Sequence, residues 1–91
     1  MAYLPLIGEF LGTWLLVLSV LVSSGNAAVI GATVALVVFL LGKISGGHIN
    51  PAISLAVFLK GEMNLTKFSG YLMAQLLGGA ASVYTYKMLM V

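Results

Sequence analysis

The segment Ser45-Gly46-Gly47-His48-Ile49-Asn50-Pro51-Ala52 holds the residues best suited to chemistry, and that chemistry is hydrogen bonding to a small neutral molecule. Asn50 is a favourable N-cap and Pro51 a favourable first helical residue, so a helix should begin there. The positive end of its dipole then lies beside Asn50 and repels cations. The Asn50 carboxamide can donate to a water or hydroxyl oxygen, while the carbonyls of Gly46, Gly47, His48 and Ile49 can accept. Taken alone, Asn50-Pro51-Ala52 is equally the start of any capped helix. His48 could serve as acid or base, although packing and orienting the loop is the plainer role. Glu9 and Gln75 are polar side chains set in long apolar runs. A carboxylate there marks a function or a specific partner, or else an acid snorkelling from near a helix end. An amide there makes at least an interhelical hydrogen bond.

The elements that must position these groups follow from length and hydropathy. The chain has 91 residues, of which 62% are hydrophobic and 7% charged, with a mean hydropathy of +1.16. Soluble domains carry roughly 25% charged residues, so lipid is the expected solvent and the chain reads as a multi-pass integral membrane protein. A first spanning helix is expected over 3–23 and a second over 27–43, separated by the polar turn Ser23-Ser24-Gly25-Asn26. The next apolar piece, Ala52 to Leu59, would reach only roughly 12 Å against a core of about 30 Å, so it cannot span. Residues 44–60 therefore read as a re-entrant loop with a half-helix that begins at Asn50, Pro51 and Ala52 and returns to the face it entered. A third spanning helix is expected over 66–90, with Tyr71, Tyr84 and Tyr86 as interfacial anchors. The fold class is thus all-α: three transmembrane helices plus one re-entrant half-helix, in a single unit. Met1 to Gly8 has no Lys or Arg and the apolar run is too long for a signal peptide, so it reads as mature protein.

Composition also excludes. There is no cysteine, hence no disulfide, thiolate metal site or cysteine nucleophile. Four Lys and no Arg do not make a phosphate-binding surface, so nucleic acid is not an expected partner. No metal site, cofactor or catalytic residue is expected. A loop at lipid depth is tolerated only where protein buries it or where it lines a water-filled cavity, which points to Gly46 to Ile49 as pore-lining.

The run from Ser45 to Ala56, Ser-Gly-Gly-His-Ile-Asn-Pro-Ala-Ile-Ser-Leu-Ala, resembles the first-half signature of the aquaporin and glycerol-facilitator family. Glu9-Phe10-Leu11-Gly12-Thr13 looks like that family's first helix and Ala74-Gln75-Leu76-Leu77-Gly78-Gly79-Ala80 like its third. The resemblance implies half of an aquaporin-like fold and passive conduction of water and small uncharged solutes such as glycerol. It implies that Glu9 and Gln75 support the loop, holding its carbonyls in place. Gly8, Gly12, Gly78 and Gly79 read as close-packing positions between helices.

Family channels usually carry two inverted halves in one chain, and here one such motif is present. The resemblance therefore implies a pore made of two antiparallel copies, each inserted in the opposite orientation; fourfold packing of such pores would make eight chains. Against this, Lys43, Lys60 and Lys67 fall on one side of the expected topology and Lys87 on the other, a bias that favours one orientation. Aligned with the family, Ile30 of one copy and Val38, Gly47 and Ile53 of the other line each mouth, and Ile53 stands where the family's second half typically has Arg. Mouths of that kind are apolar and fairly wide, closer to a glycerol conduit than to a strict water filter. Two other functions remain open: a small secondary transporter, for which only Glu9 and His48 could serve as ionisable cavity residues, and a non-conducting half that needs a different partner.

Overall fold

The computed structural model describes residues 3–90. It contains four helices: α1 Leu4–Val22, α2 Ala27–Leu41, α3 Pro51–Leu59 and α4 Leu65–Leu89. Three of them start on the same device. The side-chain oxygens of Asn26, Asn50 and Asn64 accept from the amides of Val29, Ala52 and Lys67 at 3.1, 2.8 and 2.8 Å, satisfying first-turn donors that a helix otherwise leaves unpaired. Pro5 and Pro51 stand in the first turns of α1 and α3, where a missing N–H costs nothing.

Helix lengths separate the elements. The 19 residues of α1 reach about 28 Å and the 25 of α4 about 37 Å, whereas the nine of α3 reach only about 14 Å. The expected second span over 27–43 is shorter in the structure: α2 has 15 residues, about 22 Å, because the chain turns at Gly42 into the loop. Among the described residues, α1 alone is both long and apolar enough to cross a membrane by itself. The other long helix, α4, is diluted by Gly, Ser, Gln and two Lys.

Packing runs in the order α2, α1, α4, α3: α1 touches both α2 and α4, and α3 lies on α4. Phe58 and Phe68 stack with ring centroids 4.6 Å apart, fastening the end of α3 to the start of α4. The burial pattern is inverted relative to a protein in water. Glu9, Thr13, Ser45, Ser54, Gln75 and Ser82 are buried, while Phe39, Leu59, Leu65 and Met88 are among the most exposed side chains. Small and polar groups on the inside and large apolar ones outside are what helices need when lipid, not water, covers them.

The α1–α4 seam depends on Gly78. A Cβ there would stand 2.5 Å from the Phe10 carbonyl oxygen and 3.1 Å from the Trp14 nitrogen, both backbone atoms that cannot step aside. At the neighbouring Gly79 a Cβ would meet only Val17 Cγ2 at 3.9 Å. Gly78→Ala is therefore expected to destabilise the chain by about 1–3 kcal/mol through overpacking, with Gly79→Ala near neutral, as read by unfolding in detergent.

Tyr71 departs from its expected role as an interfacial anchor. It is 1% exposed, and its hydroxyl donates to the Ser45 carbonyl at 2.6 Å. It lies on the same buried stripe of α4 as Ala74, Gln75, Gly78 and Ser82, so a position near the helix start did not place it at the surface. Tyr84, by contrast, is 68% exposed.

Candidate functional site

The connection between α2 and α3 packs against the glycine-lined face of α1. Gly8 and Gly12 leave room for it: a Cβ on Gly12 would come within 2.7 Å of both Ile49 Cγ2 and Leu41 Cδ1. Into that recess α1 places one carboxylate, and Glu9 is 0% exposed. Four donors converge on its two oxygens. The Ser45 hydroxyl and the His48 amide donate to Oε2 at 2.6 and 3.0 Å; the Ile49 amide and Gln75 Nε2 donate to Oε1 at 2.7 and 2.9 Å. Glu9 therefore acts purely as an acceptor, and it is not a side chain snorkelling to the surface.

This clamp fixes an unusual backbone. Gly46 and Gly47 have φ of +94° and +65°, and Ile49 has φ of +46°. Glycine takes such angles at little steric cost, but a β-branched residue does so only under strain of order 1–3 kcal/mol. Two interactions hold Ile49 there: its amide bond to Glu9 and the burial of its side chain, 3% exposed, against Gly12.

The consequence is a sorting of backbone polarity. The amides of Gly46, Gly47, His48 and Ile49 are all tied inward, to the Leu41 carbonyl, the Ser45 hydroxyl and Glu9. The carbonyls of the same four residues have no hydrogen-bond partner among the described residues. Asn50 follows directly and is exposed. Its Oδ1 is committed to the Ala52 amide, which assigns the free end of the carboxamide as Nδ2, a donor of two hydrogens. Four acceptors and one double donor thus stand in sequence at the start of α3.

Further support comes from α3 and α4. Gln75 Nε2 also donates to Ser54 Oγ at 2.8 Å, and Ser54 Oγ lies 2.8 Å from His48 Nδ1. Ser54 is 0% exposed, so its hydroxyl proton needs an acceptor, and His48 Nδ1 is the one within reach; the ring proton is then on Nε2. The His48 ring also packs on Tyr71, with centroids 5.0 Å apart. Gln75 thus links α4 to α1 and α3 at once, more than a single interhelical bond. Its Oε1 and Thr13 Oγ1 are buried without a partner among the described residues.

The remaining residues named from sequence are spread along α2 and α3. Gly47 is buried with its Cα side against Val38: a Cβ there would lie 3.1 Å from Val38 Cα. Ile53 is 47% exposed in the first turn of α3, while Ile30 stands near the opposite end of α2, eight residues and about 12 Å from Val38. The Ile49 side chain faces the interior, so only its backbone is available to a pore. Ser45, Ser54 and Tyr71 were missed as site residues. For Ser54 the signal was a hydroxyl inside an otherwise apolar nine-residue helix; for Tyr71 it was the four-residue spacing to Gln75.

A sequence model of one protein family, described as major intrinsic protein, matches residues 2–91. The lens fiber major intrinsic protein of Gallus gallus is 42% identical over 87 residues, covering 84% of this chain and 33% of the relative. Aquaporin NIP1-1 of Arabidopsis thaliana is 36% identical over 97 residues, covering 92% of this chain and 33% of its own length. A probable glycerol uptake facilitator protein of Thermotoga maritima is 44% identical over 57 residues, covering 59% of this chain and 24% of the relative. The chain spans about a third of the length of the first two of these relatives. No solved structure matches.

Proposed function

The chain belongs to the major intrinsic protein family, and from that premise we propose that it is a multi-pass membrane protein contributing half of a passive channel for water and small uncharged solutes such as glycerol. It acts as a conduit, not an enzyme, and needs no cofactor or metal. One observation carries this reading: the amides of Gly46 to Ile49 are turned to internal partners while their four carbonyls and Asn50 Nδ2 are left unpaired. At lipid depth such groups cost several kcal/mol each unless something polar meets them. A file of waters or a polyol meets them, exchanging hydration for one carbonyl after another, and the α3 N-terminus discourages cations.

The half that completes the conduit is a second, inverted copy of this chain, so that two Asn50 caps face each other; α1, α2 and α4 cross the bilayer and α3 with its loop is re-entrant. Gly46, Gly47, His48, Ile49 and Asn50 line the middle of the path, and Ile30, Val38 and Ile53 its mouths. The apolar character of those mouths favours glycerol passage over strict water selection. A carrier mechanism is less well supported, because Glu9 is consumed by four hydrogen bonds and His48 Nδ1 by Ser54.

The inverted pair has a direct test. The chain has no cysteine, so Lys60→Cys and Lys87→Cys each report one membrane face through a membrane-impermeant maleimide. Comparable partial labelling of both in sealed cells is the expected result. Full labelling of one and none of the other means uniform insertion, which rules out the inverted homodimer and calls for a different partner half.

A further inference from the structure

We propose that one anionic phospholipid binds along the outer flank of α1 and α4, with its phosphate at Lys67 and an acyl chain in the groove below. A cavity of about 300 Å³ opens at the start of α4, with Leu6, Asn64, Thr66, Lys67 and Gly70 in its wall. A second hollow of about 550 Å³ is walled by apolar residues, among them Leu6, Ile7, Phe10, Gly70, Met73 and Leu77. Leu6 and Gly70 line both, so the two hollows adjoin at the Leu6–Gly70 contact. The upper part adds Asn64, Thr66 and the Lys67 ammonium to an apolar wall; the lower part is apolar throughout.

The upper part suits a phosphate diester. Among the described residues the one ion pair is Lys60 with Glu62, which leaves the Lys67 ammonium without an anionic partner; it sits 5.6 Å from the centroid of the Tyr71 ring, in the same cavity wall. The α4 dipole has its positive end there, and the Thr66 hydroxyl adds a donor. The lower part suits one acyl chain. From Lys67 to Leu77 is ten residues of helix, about 15 Å, half of a hydrocarbon core of about 30 Å. A headgroup at Lys67 therefore places its chain end near the bilayer centre. Where the two hollows meet, Leu6 lies against Gly70, and a Cβ there would come 3.0 Å from Leu6 Cδ2.

This flank meets the loop site at Tyr71 and is otherwise apart from it. On α1 the residues facing the loop are Gly8, Glu9 and Gly12, all buried, whereas Ile7 and Leu11 on the groove side are 49% and 51% exposed. The proposal rests on the chain being in a membrane but not on conduction, and its test reads no flux.

The test is thermal unfolding of the detergent-solubilised chain titrated with dioleoylphosphatidylglycerol, dioleoylphosphatidylcholine, sn-glycerol 3-phosphate or inorganic phosphate. The phosphatidylglycerol should protect saturably and better than the phosphatidylcholine, and the two chain-free phosphates should protect little. Lys67→Gln should weaken the apparent affinity roughly fivefold, the effect of one interfacial lysine, with Lys67→Arg retaining it and Lys87→Gln, at the other end of α4, unchanged. Gly70→Val should weaken it by displacing Leu6 into the groove. Equal protection by the phosphatidylcholine, protection by inorganic phosphate alone, or an unchanged Lys67→Gln titration overturns the proposal. So does a change in oligomer mass of the Gly70→Val chain without any change in lipid dependence, which assigns the groove to a second copy.

Discussion

Glu9→Ala is expected to collapse the loop and to abolish flux. The substitution removes the acceptor for the His48 and Ile49 amides and for the Ser45 and Gln75 side chains together. Ser45 can rotate its hydroxyl and Gln75 keeps Ser54, but the two backbone amides have no alternative. Each buried donor left unpaired costs about 1–3 kcal/mol, so the two amides alone cost roughly 2–6 kcal/mol. Ile49 also loses one of the two contacts that hold it at φ +46°, and the strain stored there favours relaxation of the loop. Unfolding in detergent measures the stability loss, and amide exchange at His48 and Ile49 locates it. Glu9→Gln keeps the side-chain length and one oxygen but turns an NH₂ toward two of the donors, so it should fall between wild type and Glu9→Ala. A Glu9→Ala chain within about 1 kcal/mol of wild type, with both amides still protected, would show that the carboxylate does not hold the loop.

The second large effect separates function from fold. In Asn50→Leu the N-cap of α3 is lost, which costs only about 1 kcal/mol, yet the free carboxamide donor of the site disappears and flux should drop at least as far as in any loop variant. Asn50→Asp makes the sharper comparison. Aspartate can still accept from the Ala52 amide, as Asn50 Oδ1 does at 2.8 Å, and its charge at a helix N-terminus adds about 0.3–1 kcal/mol of stability. It offers no N–H to a permeant, however, and it places an anion where the helix dipole otherwise repels cations. Asn50→Asp should therefore remain folded, lose solute flux and gain cation leak, measured by light scattering and by a potential-sensitive dye. Unchanged solute flux would mean that Nδ2 does not meet the permeant.

Local chemistry explains what could be read from the sequence. The Asn-capped helix start at Asn50, the turn at 23–26 and the shortness of the piece after Pro51 are set by neighbours in the chain, so their residue types announce them. A lone carboxylate at Glu9 is conspicuous for the same reason, since burying it demands partners. The partners themselves come from 36 to 66 residues away, so no neighbour in the chain marks which groups they are; Ser54 and Tyr71, which join the network around them, carry only faint marks, a hydroxyl in an apolar helix and a four-residue spacing to Gln75. Tyr71 was accordingly read as an anchor, although its register with Gln75 and Gly78 turns it inward. The sorting of amides from carbonyls across Gly46 to Ile49 depends on positive φ at three of those four residues, and only the glycines gave notice of it.

The central claim is that this chain lines a conduit with Asn50 and the four carbonyls before it, and osmotic light scattering tests it most directly. Liposomes containing only the purified chain are mixed with a sucrose or glycerol gradient in a stopped-flow instrument, beside protein-free liposomes and liposomes carrying a folded, inserted Asn50→Leu chain. The account predicts fast shrinkage, or glycerol re-swelling, for wild type and its loss in Asn50→Leu. Wild-type flux no faster than that of protein-free liposomes, from chain shown to be inserted, would contradict conduction by copies of this chain alone.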